Sequence, residues 1–127
     1  MRGILFCLAI AIFIAGCSQS GGTPVPYVEM EGDAARGEQL FNQTIESMPP
    51  CSACHIPGSA ASPDLVGYGA VAGERVPGES AHEYTFYSIT EPGRYIVPGF
   101  GNAMYDRYGE RLTAQQIADL IAYMLTL

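Results

Sequence analysis

The chain has 127 residues, enough for one domain, and carries six basic against thirteen acidic side chains, a formal net charge of −7. All six basic residues are arginines and there is no lysine. So acidic a chain offers no basic surface for phosphates, which excludes a nucleic-acid binder, and it favours electropositive partners over anionic lipid headgroups.

The N-terminal residues do not read as part of a fold. Arg2 gives a positive start, and the stretch from Ile4 to Ala15 is apolar. A bilayer-spanning helix needs roughly 20 apolar residues, so this run has the length of an export-signal core instead. Ile14-Ala15-Gly16-Cys17 follows, and it resembles the bacterial lipobox, in which the signal is cut before a cysteine that is then acylated. The expected organisation is a signal over residues 1–16, a lipid-bearing Cys17 opening a tether over 17–32, and one domain over 33–127. Ser18, Ser20, Gly21, Gly22, Pro24 and Pro26 give the tether its linker composition. Loss of Arg2 with the signal leaves five arginines against thirteen acids, a net charge of −8. The remaining domain is under one hundred residues and has no tryptophan. Its own apolar area is marginal at that size, so a large bound group would complete its core.

Asp33 is placed to cap a first helix. Gly37, Leu40, Phe41, Ile45 and Met48 recur at helical spacing, and Pro49-Pro50 stops the run. A glycine inside a helix costs about 1 kcal/mol relative to alanine. Gly37 is therefore expected where another helix comes close, and the natural partner is the C-terminal helix, with Leu120 and Tyr123 crossing near Gly37 and Phe41.

Cys51-Ser52-Ala53-Cys54-His55 comes next. This Cys-x-x-Cys-His pattern marks covalent attachment of a c-type haem. Two thiols three residues apart on a tight turn can reach two vinyl groups of one porphyrin, and the following histidine can ligate the iron. A structural zinc site needs four ligands, but beyond these three only His82 remains. A thioredoxin-like pair would need a βαβ setting, which the chain lacks. Cys7 leaves with the signal and Cys17 takes lipid, so Cys51 and Cys54 are the only cysteines left to the domain.

Residues 56–73 are rich in Gly, Ala, Ser and Pro and read as loop with one short helix. Ser80-Ala81-His82-Glu83 matches a capping box, opening a helix with Tyr84, Tyr87 and Ile89 that Pro92-Gly93 ends. Thr113-Ala114-Gln115-Gln116 is a second such box, opening a final helix striped by Ile117, Leu120, Ile121, Met124 and Leu125. No strand-like alternation or repeat is present, so the fold class is all-α, with three to five helices around one covalently bound haem. Methionine opposite histidine is the common second axial ligand in electron carriers. Met30 lies in the tether, Met48 is too close to Cys51, and Met124 belongs to the final helix. Met104, in a Gly/Pro-rich loop, is the expected ligand, with His82 the alternative.

In this order of features the chain resembles the class I cytochrome c family over residues 33–127. It is most similar to membrane-associated bacterial members, whose pattern is matched by Glu83-Tyr84, Ser88-Ile89, Pro92, Tyr95-Ile96-Val97-Pro98-Gly99-Phe100, Met104, Tyr108-Gly109 and Leu112-Thr113. The resemblance implies a cytochrome c fold, His55 and Met104 as iron ligands, and the Pro63 carbonyl orienting His55. It also implies Leu65 packing on the haem, and Arg75 and Tyr95 touching its propionates. Two departures are visible: Tyr105 stands where the family usually has proline after the ligand methionine, and extra residues separate Phe41 from Cys51.

The function implied is one-electron transfer on the outer face of a bacterial cytoplasmic membrane. The expected protein is an electron carrier, not an enzyme, anchored by lipid on Cys17. Its partners would be a quinol-oxidising complex, an oxidase or a photosynthetic reaction centre, with or without a small redox protein. Membership of alternative complex III as its monohaem subunit is one such placement. The competing class is a haem enzyme or gas sensor with an open sixth iron position, which would follow if Met104 were not a ligand. A small exported adhesin with a disulfide is the third.

Overall fold

A computed structural model describes residues 26–127. The expected signal, its cleavage point and the lipid-bearing Cys17 lie outside these residues. Among the described residues five helices follow in order: α1 Ala34–Asn42, α2 Tyr68–Val71, α3 Ala81–Thr90, α4 Tyr108–Arg111 and α5 Ala114–Met124. Short 3-10 turns run over Cys51–Ala53 and Ala72–Glu74. Among the described residues there is no strand, only one isolated bridge between Ile45 and Met48. No helix among them is long and apolar enough to cross a membrane.

The helix starts form where short polar side chains satisfy free amides. Asp33 accepts from the Arg36 amide at 3.0 Å, and Ser80 accepts from the Glu83 amide at 3.1 Å. At α5 the capping box closes both ways: Gln116 N–H donates to Thr113 Oγ1 at 3.2 Å, and Thr113 N–H donates to Gln116 Oε1 at 2.9 Å. At Ser80 only the serine half of the box forms.

Helices α1 and α5 pack face to face at Gly37. A Cβ there would sit 1.9 Å from the Asp119 carbonyl oxygen and 2.7 Å from Tyr123 Cβ, so only hydrogen fits. Four residues on, Phe41 meets Tyr123 edge-on with ring centroids 5.4 Å apart. Ile117, Leu120, Ile121 and Met124 carry the buried stripe of α5. Tyr84, Phe86 and Ile89 do the same for α3, with Thr85 buried beside them.

The first helix is shorter than its apolar spacing predicts. It ends at Asn42, whose side-chain amide donates to the Glu38 carbonyl at 2.9 Å. The chain then reverses through Glu46 and Ser47, at φ 46° and 69°, and Met48 N–H donates to the Ile45 carbonyl at 2.7 Å. A three-residue spacing places Ile45 beside Met48 in this turn as well as it would in a helix, which is why periodicity did not separate the two. Met48, 1 % exposed, plugs the core beneath the turn.

Positive φ at two consecutive exposed residues is the backbone of a turn that Asn-Gly adopts without strain. Glu46→Asn combined with Ser47→Gly is therefore expected to raise stability by about 1 kcal/mol. Denaturant unfolding of the haem-bound protein measures it, and an unchanged or lowered midpoint would refute the strain.

The end of the segment read as tether is packed, not free. Tyr27 donates or accepts a 3.1 Å hydrogen bond with His82 Nδ1 and meets Phe86 edge-on at 5.3 Å. Gln115 Nε2 donates to the Glu31 carbonyl at 3.1 Å. Gly32 lies so close to α5 that a Cβ would fall 2.0 Å from the Ala118 carbonyl oxygen. Residues 27–32 thus form a strap over α3 and α5, and among the described residues the packing reaches back to Tyr27, six residues before Asp33. On α5 the strap uses Gln115 and Ala118, whereas Leu120 and Met124 point to the cavity described next.

Candidate haem site

One cavity of about 370 Å³ dominates the interior, walled by α2, α3, the 91–107 loop, α4, α5 and the cysteine turn. Its floor is made by the turn at Cys51. Cys54 N–H and His55 N–H donate to the Cys51 carbonyl at 3.2 and 3.0 Å, and this curl brings Cys51, Cys54 and His55 to the same wall. Both thiols are free, Cys54 exposed and Cys51 half-buried. Burial pushes the Cys51 thiol up to about 11. A raised pKa makes Cys51 the opposite of the depressed thiol that a thiol-disulfide exchanger uses as its nucleophile. Ser62 Oγ donates to the Cys54 carbonyl and ties the turn to the next loop.

His55 is held by its Nδ1, 3.0 Å from the Pro63 carbonyl oxygen. That carbonyl can only accept, so Nδ1 carries a proton, and in the neutral imidazole Nε2 is the nitrogen with a lone pair for a metal. Leu65, two residues on, is buried against the cavity. Met104 lines the wall and is partly buried. Met124, read as core of the last helix, lines the cavity too. Met48 is buried outside it, and His82 is engaged by Tyr27 on the strap side and does not line it.

The polar corner of the cavity is Arg75 with Tyr68, Tyr84 and Tyr95. Tyr95 meets Tyr84 edge-on at 5.8 Å, and Tyr68 shares a 2.8 Å hydrogen bond with Thr85. Arg75 Nε is buried and has no hydrogen-bond partner. A buried guanidinium N–H without an acceptor is costly. It is therefore the donor one expects where an anionic group belongs.

Some of this wall was not assigned from sequence. Tyr108 is buried, and its hydroxyl donates to the Pro49 carbonyl at 2.7 Å. Burial pushes it up to about 12, so it stays a donor at any working pH. Tyr68 and Tyr84 are also raised by burial. The legible signal was tyrosine at core-facing helix positions in a chain with no tryptophan, since buried tyrosines need partners for their hydroxyls.

The site brings together all eight expected haem-contact residues: Cys51, Cys54, His55, Pro63, Leu65, Arg75, Tyr95 and Met104. Free thiols spaced for two thioethers, an imidazole with Nε2 available, a large apolar volume and an orphaned guanidinium for a carboxylate together fit haem c. Among the described residues no group of three or more His, Cys, Asp or Glu gathers to hold a metal ion directly. A family model described as cytochrome c matches residues 34–127. No curated protein matches the chain significantly.

Proposed function

The chain belongs to the cytochrome c family and carries electrons through one covalently bound haem c; from that premise we propose a protein anchored by lipid on Cys17 to the outer face of a bacterial cytoplasmic membrane, where it serves a quinol-oxidising respiratory or photosynthetic complex or an oxidase. The observation that carries the site assignment is the single cavity shared by Cys51, Cys54, His55 and Met104. In this reading Cys51 and Cys54 form the thioethers, and His55 and Met104 bind the iron.

The haem supplies a one-electron Fe(III)/Fe(II) couple, whose potential a methionine ligand raises. The chain's residues do the rest. The Pro63 carbonyl fixes the tautomer and plane of His55. Leu65, Ile89, Leu120 and Met124 exclude water from the interior of the cavity. Arg75 offers its unpaired Nε–H to a propionate. Cys54, Ile56 and Ile96 stay exposed near this site, leaving an apolar edge for a partner. Arg36, Arg94 and Arg107 are each committed to an internal carboxylate. Among the described residues, nine of the thirteen acids have no ion pair to an arginine, so an electropositive partner suits the surface.

Metabolic labelling with a tagged fatty acid tests the anchor. Label is expected on the haem-stained band of wild-type protein and not on Cys17→Ser, which should appear in the soluble exported fraction. An unlabelled wild-type protein released with the soluble fraction would overturn the anchoring. The co-purifying membrane complex then identifies the donor or acceptor.

A further inference from the structure

The loop that carries Met104 is held almost without backbone hydrogen bonds. Its last internal one is Ala103 N–H to the Gly101 carbonyl at 3.0 Å, and residues 104–107 donate none to the backbone. What fastens it is aromatic. The Tyr105 ring meets the Tyr108 ring edge-on, with centroids 5.0 Å apart at 70°. Tyr108 in turn is buried and hydrogen-bonds the Pro49 carbonyl at 2.7 Å, two residues ahead of Cys51. Both rings line the cavity together with Met104.

We propose that Tyr105 and Tyr108 are positioning residues that clamp the Met104 loop onto the cysteine segment, so that the methionine side of the site is fixed by a side-chain bridge where proline would restrain the backbone. The proposal rests on Met104 being an iron ligand. A proline at 105 would restrain only its own φ and the backbone of the adjacent Met104, without tying the loop to another segment. The tyrosine pair instead couples the loop to Pro49-Pro50-Cys51, and so links the two segments that bear the iron ligands. Loosening either half of the bridge increases the fraction of molecules in which Met104 has left the iron, without removing the methionine.

Tyr105→Leu keeps apolar bulk, Tyr105→Phe keeps the ring, and Tyr108→Phe removes only the hydroxyl. An edge-on pair and a neutral hydrogen bond are each worth enough to change an opening equilibrium by about 2- to 10-fold. Tyr105→Leu and Tyr108→Phe are therefore expected to increase, by that factor, the apparent affinity of the oxidised protein for imidazole. Both should also weaken the far-red band of methionine-bound iron(III), while Tyr105→Phe stays at the wild-type value. If Tyr105→Leu folds with the band and the imidazole affinity of wild type, the clamp is refuted and Met104 ligation stands. A wild-type protein without the band refutes the ligation itself, and the clamp with it.

Discussion

Met104→Ala is expected to abolish the far-red band of the oxidised protein and to let the reduced protein bind carbon monoxide. Its reduction potential should fall by on the order of 100 mV, within the ~0.8 V span that axial ligands command. The reasoning is positional. Two methionines line the cavity, Met104 on the loop and Met124 on α5. Met124 is 8 % exposed and sits on the buried stripe of α5 with Leu120 and Ile121. Met104, partly buried, lines the same cavity from a loop outside any helix. Met124→Leu is the control and should retain the band. Loss of the band in Met124→Leu, with retention in Met104→Ala, would reassign the ligand. Carbon monoxide binding by wild-type protein at the rate seen in Met104→Ala would instead favour an open iron position and a haem enzyme or sensor.

Asp119→Ala is expected to lower stability by about 2 kcal/mol at neutral pH. Its side chain is 4 % exposed, and it accepts from Arg36 Nε at 2.8 Å, Arg36 Nη2 at 2.9 Å, the Asp33 amide at 2.8 Å and Gln115 Nε2 at 3.0 Å. One carboxylate thus joins the start of α1 to the middle of α5, beside the close approach at Gly37. The Arg36 guanidinium, with the other donors, holds its pKa down to about 2, below the usual 3.8. A depressed carboxylate stabilises the fold above its unfolded value, and the contribution drains away as pH falls through the folded one. The gap between wild type and Asp119→Ala should accordingly be full above about pH 4 and narrow progressively toward pH 2. Because Arg36 is itself more than half exposed, water recovers part of the loss, which keeps the figure well below that of a fully buried pair. Unfolding curves between pH 2 and 7 measure it; parallel acid limbs for the two proteins would remove Asp119 as the titrating tie.

The all-α order and the cysteine turn were readable because they depend on local chemistry, whereas Pro63, Leu65, Arg75 and Tyr95 entered only through the family resemblance. Cys51 to His55 is contiguous, the caps at Asp33, Ser80 and Thr113 act within three residues, and the stripe of α5 repeats every turn. Gly37 was readable for a different reason: a glycine in the middle of a helix has few physical excuses other than a close neighbour. What escaped is non-local. Asp119 sits among apolar residues of a helix and looks like a solvent-facing polar position until Arg36 and Asp33, more than eighty residues earlier, fold onto it. The reversal at Glu46-Ser47 carries no glycine or asparagine to announce it. The strap escaped because Tyr27 lies in a segment whose serines, glycines and prolines dominate its composition, and its docking site on α3 is supplied only by the fold. Tyr108 hid its role in the same way, since the acceptor for its hydroxyl is a carbonyl fifty-nine residues earlier.

The strap also sets a ruler. For a domain held by lipid at Cys17, the linker can extend no further than Tyr27, not Asp33, because residues 27–32 are committed to α3 and α5. Six residues at 3.3–3.6 Å each remove about 20 Å from the greatest distance the domain can stand off the bilayer. The ten residues from Cys17 to Tyr27 span at most roughly 35 Å, so a lipid on Cys17 would confine electron exchange to a thin layer above the membrane. A partner that presents its redox centre higher than that layer is out of range, however well its surface charge matches.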